Sequence, residues 1–263
     1  MLRAGVAQID IKIGDRAANY RNVEDWMKRY HTPSEWETVV VLPEIWDVGY
    51  VIDEADKYGD PDARSAIDFL GSLARKYNVW FAGGSVLANT KEGAVNRALV
   101  IDPKGECVNH YDKVHLIPLM NEDRYLKSGD RECHFEVGGV TAACLICYDI
   151  RFCEWMRLNA VHGAKVFFIS AEWPTIRIDH WMALLKARAI ENMMYIVACN
   201  RVGNSQNTDF GGHSFVLDPW GTVLYEGGDK PDGVFVEMDT EKVQKIREHL
   251  KVFSVRRPEL YKE

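Results

Sequence analysis

One of the six cysteines stands where an apolar run of the sequence stops, and a thiol there could act as a nucleophile. Cys147 follows the apolar run 142–146, and a helix is predicted to begin about four residues later. At such a strand-to-helix elbow, free backbone N–H groups and the positive helix end favour a thiolate. Taken alone, such a cysteine is more often an ordinary buried residue of a core strand.

Two charged residues occupy the same kind of position at the ends of two other predicted strands. Glu44 follows the apolar run 39–42, and Lys113 follows the predicted strand 107–111. A carboxylate can act as a general base and an ammonium group can stabilise a negative oxygen, although either residue alone is more commonly solvated. Because α/β sheets collect active sites at the carboxyl ends of their strands, the three residues together predict a cysteine-dependent hydrolase.

The elements that position these residues alternate along the chain. Short apolar runs predict strands, and apolar residues at three- and four-residue spacing predict helices. The predicted strands are 2–9, 38–42, 79–86, 96–101, 107–111, 134–137, 141–146, 165–170, 195–199, 213–217, 222–225 and 233–238, and the predicted helices are 15–30, 63–77, one after Cys147, 179–192 and 240–250. We therefore expect one α/β domain over residues 1–263, with two mixed sheets packed face to face and helices outside.

Composition narrows the class of function. The chain has 263 residues, 47% of them hydrophobic, and a net charge of −7. No basic patch stands out, so partners such as nucleic acid or an anionic membrane are not expected. The N-terminus has no signal-like segment and no apolar stretch approaches the roughly 20 residues of a membrane span, which predicts a cytoplasmic protein with reduced thiols.

Three sequence blocks carry a resemblance to a known family. LPE at 42–44, YDKVHL at 111–116 and CYDIRF at 147–152 resemble, in order and separation, the signature blocks of the nitrilase, or carbon–nitrogen hydrolase, superfamily. The likeness extends over nearly the whole chain and includes Asn96, ARAIEN at 187–192, GHS at 212–214 and DPWG at 218–221. Three spaced blocks with matching flanks are far more specific than any one of them.

The resemblance implies a four-layer α-β-β-α sandwich, usually dimerised through the helix layer beside the nucleophile, so a homodimer or higher homo-oligomer is expected. It implies that Glu44 takes the thiol proton, Cys147 attacks an amide carbon, and Lys113 with the Tyr148 backbone N–H holds the oxyanion. Ammonia leaves and water resolves the thioester, with no cofactor or metal ion. Many members have a second glutamate after the lysine, and Glu122 is the best match.

Within the superfamily, the chain is most similar to the omega-amidases, which hydrolyse the terminal amide of 2-oxoglutaramate and related 2-oxo acid amides. Nitrilases usually show Trp-Glu after the cysteine, whereas this chain has YD. Matching segments are LM at 119–120, AEWP at 171–174, ACNRVG at 198–203 and RRPELY at 256–261.

An omega-amidase must hold a carboxylate some distance from the scissile amide. Arginine does this best through paired charge-assisted hydrogen bonds. Arg177 and Arg201 are the candidates, and Trp173 is expected to line the site. Arg151 and Arg188 are expected to be structural, paired with acidic neighbours.

The sequence is compatible with several further functions. An N-carbamoyl amide hydrolase or another aliphatic amidase would use the same triad with a different pocket. Cys144 and Cys147 form a CxxC pattern, which can indicate a redox or metal site, but they fall on opposite faces of a strand and no second ligand pair follows. A cysteine–histidine hydrolase using His115 and a binding protein that has lost catalysis also remain open.

Overall fold

The fold is known from a computed structural model, which describes residues 1–205 and 208–261. The strands are β1 (Leu2–Gln8), β2 (Thr38–Val41), β3 (Asp60–Pro61), β4 (Trp80–Thr90), β5 (Gly93–Ile101), β6 (Cys107–Asp112), β7 (His134–Val137), β8 (Val140–Ile146), β9 (Val166–Ala171), β10 (Tyr195–Asn200), β11 (Val202–Ser205), β12 (Thr208–Gly211), β13 (Phe215–Leu217), β14 (Val223–Glu226) and β15 (Asp232–Met238). The helices are α1 (Arg16–Tyr30), α2 (Ala55–Tyr58), α3 (Arg64–Tyr77), α4 (Glu122–Tyr125), α5 (Cys153–Val161), α6 (Ile178–Asn192) and α7 (Glu241–Leu250).

Two large mixed sheets organise these strands. The first has the order β15-β1-β2-β4-β5-β6, with β3 beside β4, and the second has the order β14-β13-β10-β9-β8-β7. In the first sheet β1, β2 and β4 are parallel, and in the second β8, β9 and β10 are parallel. Antiparallel strands extend both sheets outward. The prediction of two mixed sheets is confirmed.

Strand alternation explains how four layers form. Val39 and Val41 of β2 pack in the core cluster that includes the second sheet, whereas Val40 packs in a cluster with residues of α1 and α3. Because successive side chains point to opposite faces, a strand buried on both sides reads as the continuous β-branched run found here. Residues of α5 and α6 cover the other side of the second sheet. The predicted α-β-β-α sandwich is therefore confirmed.

The structure differs from the predicted elements in several places. The chain after Cys147 first makes a 3₁₀ turn, Cys147–Arg151, and α5 begins only at Cys153. The sequence does not predict the β11–β12 hairpin, because its short strands lack an alternating apolar pattern. Among the described residues, no helix is both long and apolar enough to cross a membrane.

A glycine pair in β4 lets the strand pass close to the end of β2. Gly83 and Gly84 have φ angles of +79° and +81°, in the region that favours glycine, and the β4–β5 register shifts there. A Cβ on Gly84 would lie 2.6 Å from Cβ of Leu42, two residues before Glu44. The next residue, Ser85, accepts the backbone N–H of Ile45 at 2.9 Å. The glycine pair thus helps to place the loop that carries Glu44.

We expect Gly84→Ala to lower the free energy of unfolding by about 2–5 kcal/mol, because left-handed strain and overpacking against Leu42 add together. Gly139→Ala is the matched control, since Gly139 also has a positive φ of +73° but no described atom within 4 Å of the added Cβ. The control should lose only about 1–2 kcal/mol. Chemical denaturation at fixed protein concentration measures both, and equal losses would contradict the close approach.

Candidate active site

The carboxyl ends of strands from both sheets meet at the site. Glu44 follows β2 and Lys113 follows β6 of the first sheet, whereas Cys147 follows β8 of the second. Glu44 stands at the start of a tight turn in which Ile45 has a φ of 39° and Trp46 donates its N–H to the Ser85 carbonyl at 3.0 Å. The local sequence therefore ends the strand and turns the carboxylate into the sandwich.

Lys113 joins two carboxylates in the interior. Its Nζ lies 2.8 Å from Oε1 of Glu44 and 2.8 Å from Oε1 of Glu122, and all three side chains are buried. Burial alone would lower the pKa of Lys113, but the charges of Glu44 and Glu122 outweigh it and raise that pKa above its ordinary value. Lys113 is therefore a permanent cation at the centre of the site.

Glu44 is held from several directions. Its Oε1 accepts the Asn96 side-chain N–H at 2.8 Å as well as Lys113, and its Oε2 accepts the Glu172 backbone N–H at 2.9 Å. Glu44 and Cys147 both line one narrow pocket, and the charge of this carboxylate acts on the thiol. The structure thus places Glu44 and Cys147 side by side in the site.

Cys147 lies at a strained corner of the chain, with a φ of 43°. Asp149, two residues later, fixes this corner by accepting the Ile146 N–H at 2.9 Å and the Tyr111 hydroxyl at 2.8 Å. Burial first, and then the charge of Glu44, raises the pKa of the Cys147 thiol well above its usual value. The expectation that the elbow favours a thiolate is therefore wrong, because desolvation and the neighbouring carboxylate outweigh the N–H groups.

Glu122 is brought to the site by the short segment before α4. It accepts the Ile117 N–H at 2.7 Å through Oε2, and it accepts Lys113 and the Tyr50 hydroxyl through Oε1. Burial, followed by the charge of Glu122, raises the pKa of Tyr50 well above its ordinary value, so Tyr50 remains a donor. The structure thus brings Glu122 together with Glu44, Lys113 and Cys147.

A narrow pocket opens at Cys147. It is lined by Glu44, Tyr50, Lys113, Ile117, Met120, Cys147, Tyr148, Arg151, Glu172, Trp173, Pro174 and Arg177. Of the residues that the sequence assigned to substrate binding, Tyr148, Trp173 and Arg177 are in this lining. A larger surface cavity, beside Cys153, Leu158 and Val255, shares no lining residue with this pocket.

Arg201 is not in the pocket lining. Its guanidinium is fully buried and pairs with Glu172 and Asp10, at 3.2 Å each, while it also donates to the Ile11 carbonyl at 3.0 Å. These partners use the guanidinium N–H groups of Arg201 that were expected to bind a substrate carboxylate. Arg201 instead lies behind Glu172, from which it can fix one side of that carboxylate.

Arg151 does line the pocket, contrary to the expectation of a structural role. Its guanidinium lies over the Trp173 ring at 4.8 Å and over the Tyr148 ring at 5.9 Å. No carboxylate pairs with it among the residues that the structure describes. Arg188, in contrast, pairs with Glu191 at 2.8 Å and is structural, as expected.

Sequence reasoning missed Tyr50, Arg151 and Glu172 as parts of the site. Glu172 belongs to the AEWP segment, whose position directly after an apolar strand was the signal that could have marked it. Arg151 lies within the nucleophile block itself, one turn after Cys147. Tyr50 offered no comparable signal, because the turn between Glu44 and Tyr50 has no regular spacing.

His115 is engaged elsewhere. Its Nδ1 lies 2.8 Å from Oδ1 of Asp149, and its ring stacks on Phe152 with 3.7 Å between ring centroids. It is absent from the lining of the pocket at Cys147. The site geometry thus favours Glu44 over His115 as the base.

Within the described ranges, no group of three or more His, Cys, Asp and Glu residues could hold a metal ion.

The comparisons with known proteins agree with this geometry. The chain belongs to the carbon–nitrogen hydrolase family, whose model matches residues 3–248. It is 41% identical to the 2-oxoglutaramate amidase of Bacillus subtilis, over 97% of each chain, and 36% identical to the omega-amidase YafV of Escherichia coli, over 71% of each. A crystal structure of a nitrilase-superfamily protein from Xanthomonas campestris, with an arsenic adduct in its active site, superposes with a TM-score of 0.89 at 26% identity, over 97% of each chain.

We expect Tyr50→Phe to lower kcat/KM for a primary amide about tenfold, because Glu122 loses a buried hydrogen-bond donor. The matched control is Tyr20→Phe, which removes a hydroxyl that contacts Ser65 at 3.2 Å. Ammonia release measured with both variants checks this, and the control should stay within about twofold of the parent enzyme. An unchanged kcat/KM in Tyr50→Phe would show that the Tyr50 hydroxyl does not contribute to the reaction.

Proposed function

We propose that this protein is an amidase that cleaves the terminal amide of a small 2-oxo acid amide, such as 2-oxoglutaramate, to the acid and ammonia. The observation that carries the proposal is the buried ion pair of Glu44 and Lys113, which lines the same pocket as the thiol of Cys147. The 41% identity to a 2-oxoglutaramate amidase over nearly the whole chain supports the substrate class.

The geometry supports a mechanism through a thioester, in which each proton transfer has a named donor and acceptor. Glu44 takes the thiol proton as the sulfur of Cys147 attacks the amide carbon. The negative oxygen of the tetrahedral intermediate is held by Lys113 and the Tyr148 N–H. The C–N bond then breaks, and the leaving nitrogen takes the proton from Glu44 and departs as ammonia.

Water completes the cycle through the same groups. Glu44 takes a proton from the water that attacks the thioester carbon, and a second tetrahedral intermediate forms. Its C–S bond breaks to release the acid, and the sulfur of Cys147 recovers the proton from Glu44. Because the resting thiol has a raised pKa, its activation depends on Glu44 accepting the proton during attack.

The donors at the oxyanion position are available. An ammonium group has three N–H bonds, and Lys113 gives two of them to Glu44 and Glu122, which leaves one for the substrate oxygen. Tyr148 is among the first residues of the 3₁₀ turn, where N–H groups have no partner within the turn. The two donors come from different sheets and converge at Cys147.

The pocket offers two arginines to a substrate carboxylate. Arg151 and Arg177 both line it, and Arg151 is placed over the ring of Trp173. Guanidinium groups bind carboxylates through paired charge-assisted hydrogen bonds. We therefore assign the carboxylate of the substrate to Arg151 and Arg177. Arg201 does not bind it directly, because the donors of Arg201 are already used.

The proposal includes three broader features. We infer one domain over residues 1–263, cytoplasmic location, and a homodimer formed through the helix layer of α5 and α6. Exposed apolar side chains on that layer, Leu158, Val161 and Ile190, support the dimer.

Ammonia release from 2-oxoglutaramate should be present in the parent enzyme and abolished in Cys147→Ala. A simple aliphatic amide and an N-carbamoyl amino acid serve as comparison substrates. Preference for the oxo-acid amide, lost in the variant, is the expected result because the thioester cannot form without the thiol. Turnover of the carbamoyl compound alone would keep the triad and overturn the substrate assignment.

Arg151→Ala and Arg177→Ala should each raise KM for 2-oxoglutaramate about tenfold or more, because each removes a charge-assisted hydrogen bond. KM for a short uncharged amide should change less than about threefold. Arg64→Ala is the control, since the Arg64 side chain is 79% exposed. Equal effects on both substrates would show that these arginines support the pocket without binding the carboxylate.

A further inference from the structure

One carboxylate oxygen in the pocket has no partner in the part of the chain that the structure describes. Glu172 lines the pocket and is 1% exposed, yet its Oε1 contacts no hydrogen-bond donor among the described residues. Buried polar atoms are nearly always paired, since an unpaired one has lost its hydrogen bonds to water without replacement. An unpaired acceptor beside the reacting groups therefore indicates a position where a ligand supplies the donor.

The other two carboxylates near Cys147 are largely occupied. A carboxylate offers about four acceptor positions. Glu44 accepts from three donors, the Asn96 amide, Lys113 and the Glu172 N–H. Glu122 also accepts from three donors. Among the described residues, both oxygens of Glu44 and of Glu122 thus have a donor, whereas Oε1 of Glu172 has none and is free to accept from a ligand.

A primary amide brings two N–H donors into the pocket, and each needs an acceptor when water is excluded. We propose that Oε1 of Glu172 accepts an N–H of the substrate's amide nitrogen, and that it thereby selects primary amides. This inference deepens the proposed function and rests on it for the reaction. It adds a contact to the leaving nitrogen, which departs as ammonia.

Arg201 determines which oxygen faces the substrate. Its Nη1 donates to Oε2 of Glu172 at 3.2 Å, and its Nη2 is anchored by Asp10 and the Ile11 carbonyl. Since Oε2 is held by a permanent donor, a proton bound by Glu172 sits on Oε1. In the protonated acid, Oε1 becomes a donor and is a much weaker acceptor for the substrate N–H.

The contact should therefore depend on pH. Burial raises the pKa of Glu172 to about 7, with Glu44 adding to the rise while Arg201 and Lys113 oppose it. Below that pH the neutral form predominates and the acceptor is weakened, whereas above it the carboxylate is restored. An ester of the same acid has no N–H, so its hydrolysis does not use this contact, although it uses the same Cys147 and Glu44.

The test compares the primary amide with the methyl ester of the same acid in the parent enzyme and in Glu172→Gln. In the variant, Arg201 keeps the Gln oxygen and the Gln NH₂ group faces the substrate N–H. We expect kcat/KM for the amide to fall about 10- to 100-fold, while that for the ester changes less than about threefold.

The parent enzyme gives a second readout that needs no variant. Its amide-to-ester ratio of kcat/KM should fall as pH drops below about 7, and the same ratio should be flat in Glu172→Gln. Effects of Cys147 and Glu44 cancel in the ratio because both substrates use them. Equal losses for amide and ester, or a flat ratio in the parent enzyme, would overturn the contact.

Failure of this inference is distinguishable from failure of the proposed function. The ratio can be measured with any acyl group that the parent enzyme hydrolyses. The parent enzyme could fail to hydrolyse 2-oxoglutaramate and still show the pH-dependent amide-to-ester ratio with derivatives of another acid. That result would overturn the substrate class and support the Glu172 contact.

Discussion

The buried ion pairs of Lys113 are the interaction on which the site depends. A lysine in the interior loses its hydration, and only the carboxylates of Glu44 and Glu122, both at 2.8 Å, offset that loss. Removing one partner from such a group costs about 3–5 kcal/mol, since it leaves a buried charge unpaired. The same pairs that keep Lys113 charged also hold Glu44 and Glu122 in place, so the contacts that stabilise the site also position its carboxylates.

The two sheets are joined by hydrogen bonds at this point as well as by apolar packing. The Glu172 N–H, at the end of β9, reaches Glu44 at the end of β2, and Tyr111 of β6 reaches Asp149 beyond β8. These contacts are buried, where hydrogen bonds are stronger and an unmade one is costly. The sandwich therefore sets the distance between Glu44 and Cys147, the proposed base and nucleophile, and a shift of one sheet against the other would separate them.

The layers and the strand ends were predictable because they follow from local patterns. Apolar runs ending at Glu44, Lys113 and Cys147 located the three chemical groups, and strand alternation gave the sheets two buried faces. The partners of Arg201 and Arg151 were not predictable, since they depend on distant segments: Arg201 pairs with Asp10, 191 residues away in sequence, and Arg151 lies over the ring of Trp173. The thiolate expected at Cys147 is wrong for a related reason. The start of the helix can be predicted from the sequence. The burial of the thiol and the charge of Glu44, which outweigh the helix end, depend on the tertiary structure.

A neutral thiol at rest is consistent with the charges around it. The group formed by Lys113, Glu44 and Glu122 already carries one excess negative charge when both carboxylates are ionised, so a thiolate would add a second in a desolvated pocket. Transfer of the thiol proton to Glu44 as the C–S bond forms avoids that state, because negative charge moves directly to the substrate oxygen beside Lys113. The charges at the site thus stabilise the tetrahedral intermediate more than a resting thiolate. Only contacts that are stronger in the transition state than in the ground state accelerate a reaction.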